Sequence, residues 1–284
     1  MKNKHTSLLL TISLALNVIL GAFIIYTHFF EAPPTAVTDM KEAGIYGPDS
    51  VEIIEGDATI AAAGITLQNT IIKGNLTLAE TIADGKVDLL NVTVEGTTLV
   101  QGGGEESIVL ENALINHLHI CKEEGKVKVN LKGSTLIGKV TLEGKAALET
   151  TAITGEGGIK ELLVAEGAEA EFNGLYPLIN IAGGDVKATL LNGKIDKLVV
   201  AKGSSKCLLS LAQDTELGLL EAGEALELAG EGLVKEILIN SPGLTRLAGK
   251  INLLKAGGKG IFLEIDKSTT DTLVVEPSDG TVMI

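Results

Sequence analysis

The sequence predicts an all-β protein, a right-handed parallel β-helix of about ten coils preceded by one N-terminal transmembrane helix. Three observations predict it. Alternating apolar strands recur about every 20 residues. Asn or Gly occupies aligned positions between them. An apolar run of roughly two dozen residues opens the chain.

The apolar run extends from Ser7 to Phe30 and is interrupted only by small polar residues such as Thr11, Ser13 and Asn17. As a helix rising about 1.5 Å per residue it is long enough to cross a bilayer core. Lys2 and Lys4 precede it, and Glu31, Asp39 and Glu42 follow. Lysines on the leading side place the N-terminus in the cytoplasm and the rest outside. A cleavable signal peptide is the competing reading, but the exit through Thr27-His28-Phe29-Phe30-Glu31 lacks the small residues that a peptidase requires. The expected organisation is a signal-anchor at 1–30, a linker rich in Pro and Gly at 31–50, and a β-helix domain at 51–284.

Strands of alternating character begin near Ile65, Val87, Ile108, Val127, Ala147, Val186, Cys207, Leu226 and Ile261, with less regular members near Glu169 and Arg246. Their spacing drifts between roughly 15 and 22 residues, as expected of coils whose surface loops vary. The strands starting at Ile65, Val87 and Ile108 each end on Asn (Asn69, Asn91, Asn112), and Asn192 returns later. About five residues on comes a second corner at Gly74, Gly96, Asn116 and Gly138. Asn and Gly tolerate a left-handed backbone at low cost, so both corners are expected to use it. Three strands and three corners per turn describe a triangular β-helix. A β-sandwich would need frequent tight hairpins, and the Asn-Gly and Asp-Gly pairs that favour them are few. Right-handedness follows from the dominant sense of parallel crossovers.

Composition agrees. The chain is 45% hydrophobic yet has no Trp, and beyond the N-terminal run its aromatics are Tyr46, Phe172, Tyr176 and Phe262. A core of stacked aliphatic layers needs few aromatics. The net charge is −14 and Arg246 is the only arginine, which excludes a phosphate-binding face and with it nucleic acid as a partner.

The stretch Ile65-Thr66-Leu67-Gln68-Asn69-Thr70-Ile71-Ile72-Lys73-Gly74-Asn75-Leu76-Thr77-Leu78, with its continuation from Leu90 to Thr98, resembles the parallel β-helix (pectin-lyase-like) segments of Gram-positive bacterial cell-surface proteins. The Gly102-Gly103-Gly104 loop fits the same pattern. The likeness covers residues 51 to about 145. It implies a pectin-lyase-like fold and an envelope location, with no assigned activity. A more distant similarity is to bactofilins, β-helical polymers that stack end to end.

The sharpest chemical constellation is His117-Leu118-His119-Ile120-Cys121, whose alternate residues share one strand face. Residues i and i+4 on a strand lie about 13 Å apart, too far for one metal to engage His117, His119 and Cys121 together. The neighbours expected on adjacent coils are Thr97, Leu99 and Gln101 on one side and Lys139, Thr141 and Glu143 on the other. A solvated face is the reading, with no metal ligand, cofactor or catalytic residue assigned. Cys207 is expected to replace a buried aliphatic residue about four coils from Cys121, too far for a disulfide. Acids such as Asp84, Asp88, Glu105, Glu106, Glu123, Glu124, Asp185 and Asp196 are too numerous to single out a catalytic pair, and aromatic platforms for sugars are missing. The runs Gly155-Glu156-Gly157-Gly158 and Gly257-Gly258-Lys259-Gly260 open no helix and read as turns.

The expected function is a non-enzymatic, membrane-anchored structural or adhesive scaffold at the cell surface. Cell-wall glycan or surface proteins are its expected contacts. The alternatives are a polysaccharide lyase or hydrolase of the same fold, and a self-stacking polymer. The apolar C-terminal end, Gly280-Thr281-Val282-Met283-Ile284, leaves self-association open.

Overall fold

A strand that alternates inward aliphatic with outward polar residues can bury its apolar half only against other strands, and here those are its own copies one coil away. The computed structural model describes residues 38–105, 108–257, 260–266, 275–277 and 282–283. Short parallel strands stack in three columns, termed faces A, B and C. In the first three coils, face A uses Thr38–Met40, Ala58–Ile60 and Leu76–Leu78. Face B uses Gly44–Tyr46, Ile65–Gln68 and Val87–Leu90. Face C uses Glu52–Ile54, Thr70–Ile72 and the start of Thr93–Val100. The described residues form eleven coils in this way, followed by parts of a twelfth and a thirteenth.

Coil length varies, as the ladder itself shows. Leu78 pairs with Val100, whereas Val164 pairs with Ile181, a shorter step along the chain. Much of the variation lies in the A-to-B connection, which takes residues 79–86 in one coil and only 143–144 in another. Glu169–Ile181 and Lys187–Val200 pass all three faces as single strands.

The core is a stack of inward Val, Ile, Leu and Ala, such as Ile60, Leu78, Val100, Ile120 and Leu142 on face A, each essentially unexposed. Each such side chain contributes about 1.5–3 kcal/mol on burial. Phe172 and Tyr176 interrupt the pattern. They meet edge to face at 5.2 Å where their coil and its neighbours carry Ala146, Ala168, Ala170 and Ala188. Two rings thus fill volume that small residues leave open. The Tyr176 hydroxyl donates to the Leu148 carbonyl at 2.6 Å.

Three expectations are corrected. The fold, expected as a β-helix behind a transmembrane helix, is an all-β parallel solenoid of about eleven coils. Among the described residues no helix is long and apolar enough to cross a membrane, and their one helix is the 3-10 turn Glu80–Ile82. The apolar run 7–30 lies outside the described residues. Strand pairing also reaches back into the segment read as a linker, since Thr38–Met40 pairs with Ala58–Ile60. Finally, Ile108 stacks on Val129 rather than Val127, because the strand Lys126–Gly133 starts ahead of the one it stacks on.

The corners divide by physical cause. Asn69, Asn91, Asn112 and Gly133 are left-handed, with φ of 50°, 56°, 52° and 58°. There the Asn91 amide donates to Asn69 Oδ1 at 3.0 Å, and Asn112 Oδ1 accepts from the Ser134 backbone at 3.0 Å. Gly74, Gly96 and Gly138 do not share that conformation. A Cβ on Gly138 would meet the Asn116 carbonyl oxygen at 2.6 Å, and one on Gly96 would meet that of Gly74 at 2.5 Å. Glycine there answers to the close approach of stacked backbones rather than to torsion.

Candidate functional site

The strand Leu114–Ile120 holds His117 and His119 on the outer side of face A in coil 5, with Leu118 and Ile120 in the core. Their neighbours are those read from the sequence. His117 lies between Thr97 and Lys139, and His119 between Leu99 and Thr141. The two imidazoles stack in parallel at 5.9 Å. His117 Nε2 is hydrogen-bonded to Thr141 Oγ1 at 2.9 Å. Partial burial, then the proximity of His119 and Lys139, lowers the His117 pKa below its ordinary 6.5 and favours the neutral ring. His119 Nε2 approaches Glu143 Oε2 at 3.3 Å. Burial, followed by Glu143, Glu123 and Glu80, raises the Cys121 pKa, so the sulfur stays a thiol and a poor nucleophile. Among the described residues no three His, Cys, Asp or Glu side chains are grouped to hold a metal ion. Cys207 is buried, its thiol also raised by burial, and both cysteines are free.

A surface cleft of about 500 Å³ opens where the A-to-B loops of successive coils meet, lined by Glu80, Asp84, Gln101, Lys122, Glu123 and Glu124. Lys122 crosses it, donating to Asp84 Oδ1 at 2.7 Å and to the Gly103 carbonyl at 2.6 Å. Its ammonium ties three loops together and offsets part of the acidic charge. Of the acids noted in the sequence, Asp84, Glu123 and Glu124 are gathered here. Asp88 pairs with Lys86, Asp185 with Lys206 and Asp196 with Lys194, each elsewhere on the surface.

Face B bears a second depression of about 280 Å³ in coils 5–7. Its floor is Ala147, which stacks between Lys128 and Glu171, so one short side chain dents a column of long ones. Two ion pairs rim the dent, Lys126 with Glu171 at 3.0 Å and Lys128 with Glu149 at 2.6 Å. The Lys128 hydrogen bond holds the Glu149 pKa below the usual carboxylate range. Sequence reasoning missed this arrangement. Its signal was an alanine at an outward position between the polar outward residues Lys145 and Glu149.

These pairs belong to a wider ladder that joins coils sideways. Glu169 is bridged by Lys187 at 3.0 Å and Lys145 at 3.3 Å, and Glu216 by Lys235 at 2.7 Å and Lys194 at 3.4 Å. In both, the lysines on either side lower the carboxylate pKa, Lys187 being the larger cause for Glu169 and Lys235 for Glu216. Each exposed bridge contributes little alone and more as part of a network. The first network lies on face B and the second on face C, so lysine–glutamate pairing links coils on both.

Comparison with protein-family models, with curated proteins and with solved structures returns no match. The parallel β-helix expected from the corner pattern is present, whereas the likeness to Gram-positive surface proteins gains no support from any relative.

Proposed function

We propose that the chain is a non-enzymatic structural or adhesive scaffold of the cell surface, a rigid rod whose geometry is its function. The observation that carries this reading is the coil-to-coil pairing of surface charge. Lys145–Glu169–Lys187 and Lys194–Glu216–Lys235 each span three coils, so carboxylates that an enzyme would hold apart for acid–base work are spent on fastening neighbours. A hydrolase needs one carboxyl kept protonated beside one ionised. Glu149 and Glu171, the two acids rimming the Ala147 dent, are instead each held by a lysine. Cell-wall glycan and surface proteins are the contacts proposed for such a rod.

Incubating the protein with a panel of neutral and acidic polysaccharides tests this reading. New reducing ends or unsaturated products should not rise above those of a heat-denatured control. Turnover that disappears in Glu149→Gln would overturn the scaffold reading in favour of a polysaccharide-active enzyme.

A further inference from the structure

On face C each coil presents one outward residue between its two corners. Along coils 1–6 that column reads Ile53, Ile71, Thr93, Leu114, Leu136 and Gly158, and extending the offset of Leu162 on Ile179 back along the two strands puts Leu175 next in coil 7. It then turns charged, with Lys194 and Glu216 in coils 8 and 9. The corresponding column of face B is mostly polar, running through Thr66, Asp88, Val109, Asn130, Glu149 and Asn173. Ile53 is 53% exposed, Leu114 50% and Leu175 67%. A depression of about 440 Å³ opens around Leu114 and Leu136, with Asn116 and Lys160 at its edge. At about 4.8 Å per coil the apolar stripe is about 29 Å long. Five of the seven positions are apolar, Thr93 and Gly158 being the exceptions, and an exposed apolar row rimmed by polar residues is the pattern of an interaction surface.

From this stripe we infer that face C is a lateral interface between two copies of the chain, packed sheet to sheet with their rods parallel and each coil against its counterpart. Two features select this occupant. A straight apolar stripe repeating at the strand spacing is matched in pitch by a second solenoid, and an identical stripe supplies an isologous surface. Charge selects the direction. Parallel rods set the first corner of each coil against the second corner of the partner's coil. Asn69 then faces Lys73 of the second copy, Asn91 faces Glu95, Asn112 faces Asn116, and Glu156 faces Lys160. Neither Glu156 nor Lys160 has an ion-pair partner among the described residues. Antiparallel rods centred on Leu114 would oppose Lys73 to Lys160. The parallel arrangement sets no like charges together at these corners, since in coil 1 the register puts Val51 opposite Glu55. Beyond coil 7, Lys194 would face its own copy, which ends the contact.

Area sets the strength. A strip about 29 Å long and about 10 Å wide is smaller than the about 800 Å² that each partner of a standard complex buries. The dimer is therefore weak and concentration-dependent. It goes beyond the scaffold reading and does not rest on it, since an unpaired rod would still be a scaffold.

Sedimentation equilibrium of the full chain over a wide concentration range is the test. The expected result is a monomer–dimer equilibrium that Leu114→Lys weakens by more than about tenfold, because the two-fold axis sets like charges together. Lys160→Glu should weaken it too, and Glu156→Lys combined with Lys160→Glu should restore it. Facing sheets lie about 10 Å apart, so a short bis-maleimide should join Leu136→Cys to its own copy but not Thr141→Cys on face A. Circular dichroism checks that each variant is folded. A monomer at every concentration, or a dimer indifferent to Leu114→Lys, overturns the interface. Failure of Leu136→Cys to cross-link to itself while the dimer persists overturns the parallel arrangement.

Discussion

At the residue scale the corners show how one residue type serves by two routes. Asn91 adopts φ of 56° and donates its amide to Asn69 Oδ1. Asn91→Ala loses both the hydrogen bond and the local support for a left-handed backbone, and should cost about 1–3 kcal/mol in urea unfolding. Asn91→Gly, which keeps the torsion cheap, should cost less. Gly138 behaves differently, since its Cβ would strike a neighbouring carbonyl. Gly138→Ala should therefore destabilise without any left-handed torsion to blame. Tyr176→Phe removes a buried donor from the Leu148 carbonyl and should cost about 1–3 kcal/mol in the same assay. His117 gives a pH dependence. Its folded pKa lies below 6.5, so the unfolded chain takes up the proton first. Stability should be full above pH 6.5 and fall as pH drops from there through the lower folded value. Comparing urea midpoints at pH 7.5 and 5 for the wild type and His117→Asn isolates that contribution, which the variant should lack.

At the element scale, much of the architecture is legible in the sequence because inward and outward residues alternate in most of the short strands. Ile65, Val87 and Ile108 are stacked as their pattern indicates, and the neighbours of His117 and His119 are those the alternation predicts. The register slips at Val127, where two inward residues, Val127 and Val129, fit the pattern equally and only the loop length decides between them. The glycines of the second corner look like those of the first, because a sequence records which residue is small but not whether torsion or contact demands it. The Ala147 dent and the face C stripe were missed for a related reason. Each depends on which outward residues share a column, and the drift in coil length hides that until the ladder is known.

At the whole-molecule scale the solenoid turns a distance along the chain into a much smaller one along an axis. Sequence neighbours a coil apart become strand neighbours, and a fastening of core, corner Asn and surface charge repeats at each step. A rod built from nearest-neighbour contacts should be straight and narrow in its distribution of lengths. That claim underlies both the scaffold reading and the lateral pairing. Thr77 and Glu221 lie in one outward column of face A, seven coils apart and far apart in sequence. Pulsed electron-spin distance measurement between labels at Thr77→Cys and Glu221→Cys, made in a Cys121→Ser background, tests the claim most directly. At about 4.8 Å per coil the backbones are about 34 Å apart, and a single narrow peak near that distance is expected. A broad distribution, or a peak displaced by more than the reach of the labels, would contradict a continuous rigid solenoid.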